Sequence, residues 1–313
     1  MRERIHYLIF LKIKKIGYND FKKVIELKEV NKMFNSKKQF AHAYDINDFE
    51  SLAVNVTGTD VVLRQGEHPA VIYYDENKDR DYLKINQNDK ILEIRDKRGI
   101  SKLKHSLAFK FMIGRRCLEI TLPSTDLKKV TMIVNNANVT VSNATLHLLH
   151  LITAGGSITM ACCHFDNLNI DTKTNNVVMK NIHITDFTLN NGTGNVLFDH
   201  CDFNGTVRAA IDEGRLKMRE VAFKNAFINL GSGDVYVSGF KTNGDFNLFT
   251  DVGDLTLRGI EAPAITIAVV RGNDLENPDV VSDAPQHQKG TVGATFITSA
   301  GHLDVHKDIE IDH

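Results

Sequence analysis

Between Ala137 and Ala268 a short apolar-x-apolar phrase returns every 19 or 20 residues, and no other feature of the chain narrows its fold so far. The phrases are NVTV, SITM, NVVM, NVLF, RLKM, DVYV and DLTL. Their first apolar residues are Val139, Ile158, Val177, Val196, Leu216, Val235 and Leu255, at spacings of 19, 19, 19, 20, 19 and 20. Self-similarity at a fixed short period is the mark of a solenoid, in which each repeat buries its apolar face only against its neighbours.

Aligning the repeats gives the inward columns that stacked strands require. Two residues after each anchor stand Val141, Met160, Met179, Phe198, Met218, Val237 and Leu257. Five after it come Ala144, Cys163, Ile182, Cys201, Val221, Phe240 and Ile260. A further apolar pair follows, for example Leu149 with Leu151 and Leu168 with Ile170. In the 20-residue repeats it slips by one, to Val207 with Ala209 and Phe246 with Leu248, and the last repeat ends in Ile265 and Ile267. Glycine dominates two residues before the anchor, where the chain must corner. The pattern predicts an all-β fold, a single β-solenoid (β-helix or β-roll) of about seven three-strand coils over 137–268, with β-rich caps. Right-handed winding is the expectation, taken from most longer-coil solenoids and not from these residues.

Residues 40–136 read as alternating strands without the strict period and form the expected N-terminal cap, with SKLKHSLAFKFMIGRR as a long hairpin connection. Residues 269–313 read as a polar loop, Arg271 to Gly290, followed by closing strands. Residues 1–39 hold eleven Lys or Arg against four Asp or Glu, a basic arm of +7 on a body of −8. Asn19 to Phe34 has marginal amphipathic helical spacing, so the arm is expected to be partly helical or disordered and is a candidate for peripheral membrane contact. Its apolar run from Tyr7 to Leu11 is cut by Lys12 and lacks a cleavage site, and no stretch reaches the ~18 apolar residues of a span. The expected location is therefore cytoplasmic or at the inner face of a membrane. No nucleic-acid partner is expected.

The phrases GSGDVYVSG and VGDLTLRG, with FESLAVNVTGTDVVLRQG and DKILEI before them, resemble the bacterial "putative adhesin" family, a domain of unknown function with β-strand repeats. The resemblance covers roughly residues 40–311. It implies a β-solenoid often associated with the bacterial cell envelope and offers no catalytic residues to carry over.

Candidate chemistry is sparse. Cys162-Cys163-His164 and His200-Cys201 look like soft-metal ligands, but Cys163 and Cys201 fall two repeats apart with Ile182 between them, roughly 9.6 Å at the usual strand spacing. That is too far for a disulfide or a shared zinc. The outward column six after the anchor holds His164, His183 and Asp202, which can bind Zn²⁺ or serve as a metal-linked sensor, or can simply face solvent. Asp234 and Asp254 at the corners lack the glycine-rich nonapeptide of a calcium roll. The outward row Thr140, Thr159, Val178, Leu197, Lys217, Tyr236 and Thr256 has no carboxylate pair for acid–base work and is mildly apolar, which suits contact with a protein or a second copy. The reading is a non-enzymatic scaffold for a protein or glycan partner, with no catalytic, cofactor-binding or metal residues assigned. The alternative is a polysaccharide lyase or hydrolase, a reading that gains if the Arg271 to Gly290 loop brings Asp274, Glu276, Asp279 or Asp283 near His183.

Overall fold

The stacking register of the repeats explains most of the architecture. The computed structural model describes residues 40–75, 83–96, 116–123, 127–269, 279–280 and 293–305. The amphipathic stretch Asn19 to Phe34, nearly all of the basic hairpin and most of the Arg271 to Gly290 loop lie outside them. The described residues are all β, without a helix, in one curled, largely parallel sheet that is β-solenoid-like.

The first strands are β1 (Phe40–Tyr44), β2 (Ser51–Thr57), β3 (Asp60–Gln65), β4 (Ala70–Asp75), β5 (Leu83–Asn88), β6 (Ile91–Asp96) and β7 (Cys117–Leu122). The repeats run through β8 (Lys129–Asn135), β9 (Val139–Ser142), β10 (Thr145–Thr153), β11 (Gly156–Thr193), β12 (Val196–Glu213), β13 (Leu216–Ser232), β14 (Val235–Thr242), β15 (Phe246–Val252) and β16 (Leu255–Glu261). Last come β17 (Ile265–Val269), β18 (Asp279–Val280), β19 (Ala294–Ala300) and β20 (Leu303–Val305).

The anchor residues stack in parallel register: Val139 on Ile158, Val177 on Val196, then Leu216, Val235 and Leu255. All are at most 1% exposed. The column continues beyond the periodic stretch. Val61 pairs with Val139 on one side and Leu118 on the other, and Leu303 pairs with Leu255. Irregular spacing hides these members from a periodicity search, because residues 66–116 and 262–302 intervene.

At both ends the rungs lie out of sequence order. At the N-terminal end β6 and β7 lie outside β2 and β3, although they follow them in the chain, and β5 and β4 close that edge antiparallel. At the other end Ile265 does not rest on Phe246, as the repeat alone suggests. Ala294 of β19 pairs with both, so the later strand is inserted between β15 and β17. β18 then pairs antiparallel on β17.

The one-residue slip of the longer repeats appears as register irregularities between Ile184 and Phe187 and between Phe203 and Thr206. Aromatic rings crowd the later part of the core: Phe203 and Phe223 stack with centroids 4.6 Å apart and planes at 2°, and Phe240, Phe246 and Phe296 continue the run.

Corner residues link neighbouring repeats. Asp60 Oδ1 accepts the Asn138 N–H at 2.8 Å, Asn138 Oδ1 accepts that of Ser157 at 2.9 Å, and Asn176 Oδ1 that of Asn195 at 2.9 Å. Asn195 then accepts from Arg215 at 3.0 Å, and Asp254 from His302 at 2.8 Å. Asp234 accepts from Asp254 at 3.3 Å, so these aspartates satisfy backbone donors of the next repeat.

Candidate functional site

On the second strand of each repeat the side chains after the corner alternate in and out. The outward positions six after the anchor form one column: Thr145 pairs with His164, His183 with Asp202, Asp202 with Ala222, and Ala222 with Lys241, which ion-pairs Glu261. The His164 and His183 rings lie 6.4 Å apart, and His183 Nδ1 is 3.6 Å from Asp202 Oδ2. The row expected from spacing is therefore brought together, with half-exposed side chains. Sequence reasoning missed its second half. Two positions further along, His147 and Asp166 share a column, with His147 Nδ1 2.5 Å from Asp166 Oδ2 and His164 Nε2 3.9 Å from Asp166 Oδ1. The signal is the same 19-residue offset, two positions further along the strand. Among the described residues no three His, Cys, Asp or Glu side chains converge as a ready-made metal site.

Asp199 behaves differently. It is largely buried, 2.8 Å from Arg219 Nη2 and 4.0 Å from Lys180 Nζ, while His200 Nδ1 lies 3.1 Å away. Cations of this chain already occupy its neighbourhood.

The thiols do not cooperate. Cys117, Cys163 and Cys201 are buried and form no disulfide, the last two donating to backbone carbonyls, and Cys162 is exposed. Ile182 pairs directly with Cys201, as the column assignment requires. Burial pushes the Cys163 and Cys201 thiols up to about 11 and Cys117 up to about 12. These are inert core groups, not nucleophiles.

The third strand presents a graded outward row. Asn190 pairs with Ala210, Ala210 with Asn229, Asn229 with Phe249, and Phe249 with Ile297. Its polar end borders a shallow cleft lined by Lys173, Asn190, Gly192 and Asp212 among others. Its apolar end carries Phe249 against Phe227, ring centroids 5.7 Å apart, and Phe227 is 52% exposed. On the first strand Val178, Leu197, Lys217 and Tyr236 also form a row, with Lys217 Nζ 4.8 Å over the Tyr236 ring. Asp274, Glu276, Asp283 and the Asp279 side chain, whose approach to His183 would favour the enzyme alternative, lie outside the described residues.

A curled parallel sheet with ladders of outward side chains defines the class as a β-solenoid-like repeat protein. The chain belongs to the Toastrack DUF4097 family, whose profile matches residues 49–268. The adhesin-family resemblance read from the repeats is borne out. A comparison with curated proteins finds no match. Among solved structures it is similar to a "putative lipid binding protein" from Parabacteroides distasonis ATCC 8503, at 12% identity and a TM-score of 0.52, covering 87% of this chain and 98% of that one. It is also similar to a "putative adhesin" from Bacteroides fragilis NCTC 9343, at 12% identity and a TM-score of 0.46, covering 86% and 97%. A second "putative adhesin", from Parabacteroides distasonis ATCC 8503, has 12% identity and a TM-score of 0.47, covering 88% and 98%. At this identity the first of them speaks for the fold alone.

Proposed function

We propose that this chain is a non-enzymatic, adhesin-like interaction scaffold that holds a protein or glycan partner along the outward row of its third strand. In its finer form the scaffold is a right-handed solenoid of about seven 19–20-residue coils, which the basic arm brings to the inner face of an envelope membrane. The observation that carries the reading is the graded row from Asn190 to Ile297. Amide groups at one end suit sugar hydroxyls or peptide backbone, and the exposed Phe227–Phe249 pair at the other suits stacking against a sugar ring or an apolar side chain.

The test is binding of the full chain to a glycan array and to solubilised envelope proteins, with Phe227→Ser plus Phe249→Ser as the comparison. Loss of at least about tenfold in affinity, roughly 1.4 kcal/mol, supports the row as the binding face. Binding that is unchanged by the double variant places the partner elsewhere and overturns the assignment. Fractionation of the full chain against one lacking residues 1–39 tests the arm separately. Membrane association that survives the deletion removes its role.

A further inference from the structure

We propose that the outward face of the first strands is a separate binding surface, which takes a linear acidic polysaccharide carrying one carboxylate per disaccharide. The proposal does not rest on the third-strand row, which lies on another face. Residues 40–313 carry a net charge of −8, yet the outward first-strand positions from Thr140 to Arg258 hold four cations, Lys180, Lys217, Arg219 and Arg258, against one carboxylate, Asp199. The second strands present Asp166, Asp202 and Glu261 instead. A positive strip on an acidic body draws anions to that strip.

The cations are also regularly spaced. Lys180 pairs with Asp199, Asp199 with Arg219, Arg219 with Ser238 and Ser238 with Arg258, so one column presents a cation at every second rung. Neighbouring strands lie about 4.8 Å apart, which puts successive cations about 9.6 Å apart. That matches the length of an extended disaccharide, so a chain lying along the stack with one carboxylate per disaccharide meets a cation at each. Asp199, on the rung between Lys180 and Arg219, holds them at 4.0 Å from Nζ and 2.8 Å from Nη2. Their side chains stay 48% and 41% exposed, with donors left for a ligand.

The neighbouring column supplies what a sugar ring needs. Lys217 Nζ stands 4.8 Å over the Tyr236 ring, and Tyr236 and Ser238 on one rung offer a half-exposed ring and hydroxyls. A lipid surface fits less well. The large apolar side chains that protrude among the described residues, Ile91, Phe227 and Val252, belong to other positions of the stack, and Val178 and Leu197 in this row are half-buried. Glu220, whose carboxylate lies over Gly239 at the bounding corner, borders the row and opposes an anion.

The experiment is a calorimetric titration of the full chain with a hyaluronan octasaccharide at low salt. The comparison ligands are an uncharged chitin oligomer of the same length and a shorter galacturonate oligomer carrying the same number of carboxylates at half the spacing. Hyaluronan is expected to bind best, and added salt to weaken it. Lys217→Gln and Arg258→Gln are each expected to weaken binding about two- to fivefold, the scale of an exposed ion pair, and together by the product of the two losses. Glu220→Gln is expected to strengthen it. Lys224→Gln and Arg208→Gln, on the second and third strands, are expected to leave it unchanged, and thermal melts verify that each variant folds. No binding of hyaluronan, an equal loss in Lys224→Gln or Arg208→Gln, or tighter binding of the galacturonate oligomer overturns the proposal. Uptake onto phosphatidylglycerol vesicles through Lys217 and Arg258, without hyaluronan binding, overturns it in favour of a lipid surface.

Discussion

Each repeat turns two corners around its first strand, and they solve the same problem in opposite ways. The corner before the anchor uses glycine, as at Gly156, Gly194, Gly214, Gly233 and Gly253. The corner four residues after the anchor is also left-handed, with φ between 48° and 66°, yet it holds Asn143, Cys162, Asn181, His200, Glu220, Gly239 and Gly259. The difference lies in what surrounds them. A Cβ on Gly233 (φ 136°) would stand 1.7 Å from the Gly214 carbonyl oxygen, the backbone of the previous repeat. The second corner faces outward at Cys162 and His200, so it demands only a backbone conformation, which a non-glycine residue can adopt at a cost of about 1–2 kcal/mol. Backbone contact with a positive φ demands glycine at these five corners, while Ala137 and Asn175 hold the same position in the other two repeats without a positive φ; torsion alone only biases the residue.

The sharpest way to break this contrast is Gly233→Val, which meets both the collision and a disfavoured φ. It is expected to cost more than about 3 kcal/mol, read as a large fall in denaturation midpoint. A fall below about 1 kcal/mol would show that the stacked corners can separate. The interior between the corners predicts a strong alkaline effect. An unfolded thiol loses its proton near about 8.5, while Cys163 and Cys201 hold theirs to about 11 and Cys117 to about 12. Above that lower value the unfolded chain binds fewer protons, so stability falls as pH rises through this window and is fully present below it. Urea melts between pH 8 and 11 should show the fall, and Cys201→Val should make it shallower.

Asn195→Ala removes the side-chain acceptor of the Arg215 N–H at the glycine corner and is expected to cost about 1 kcal/mol. His200→Gly at the other corner should have the opposite sign, a gain of about 0.5–1 kcal/mol. If it destabilises instead, the His200–Asp199 contact outweighs the torsion. The smallest effect separates adjacent residues: a thiol reagent at pH 8 should label Cys162 in the native protein and leave Cys163, one step inward, unmodified. Stability should not change.

These corners also show how far the sequence can be read. Glycine columns, inward columns and the slip at Val207 are legible because packing against an identical neighbour repeats the same residue chemistry every 19 or 20 positions. The second corner is not, since asparagine, cysteine, histidine and glutamate share no property beyond being tolerated there. The end rungs are hidden for a different reason. Nothing local in ATFITSA says that Ala294 slides between Phe246 and Ile265, because strand order is decided by contacts far apart in the chain. In the site, the His164, His183 and Asp202 column was legible from the period alone. His147 and Asp166 become visible only when the next outward position is aligned as well.

The insertion of β19 also bears on how the protein is made. A ribosome delivers β17 before the strand that must lie beneath it, so a nascent chain can stack its repeats only as far as β15 and β16. There it must wait with an unpaired edge until Ala294–Ala300 has emerged. A stop codon after Gly293 would remove an interior layer and strand the strand above it, so a truncation there would act as a lesion in the middle of the stack.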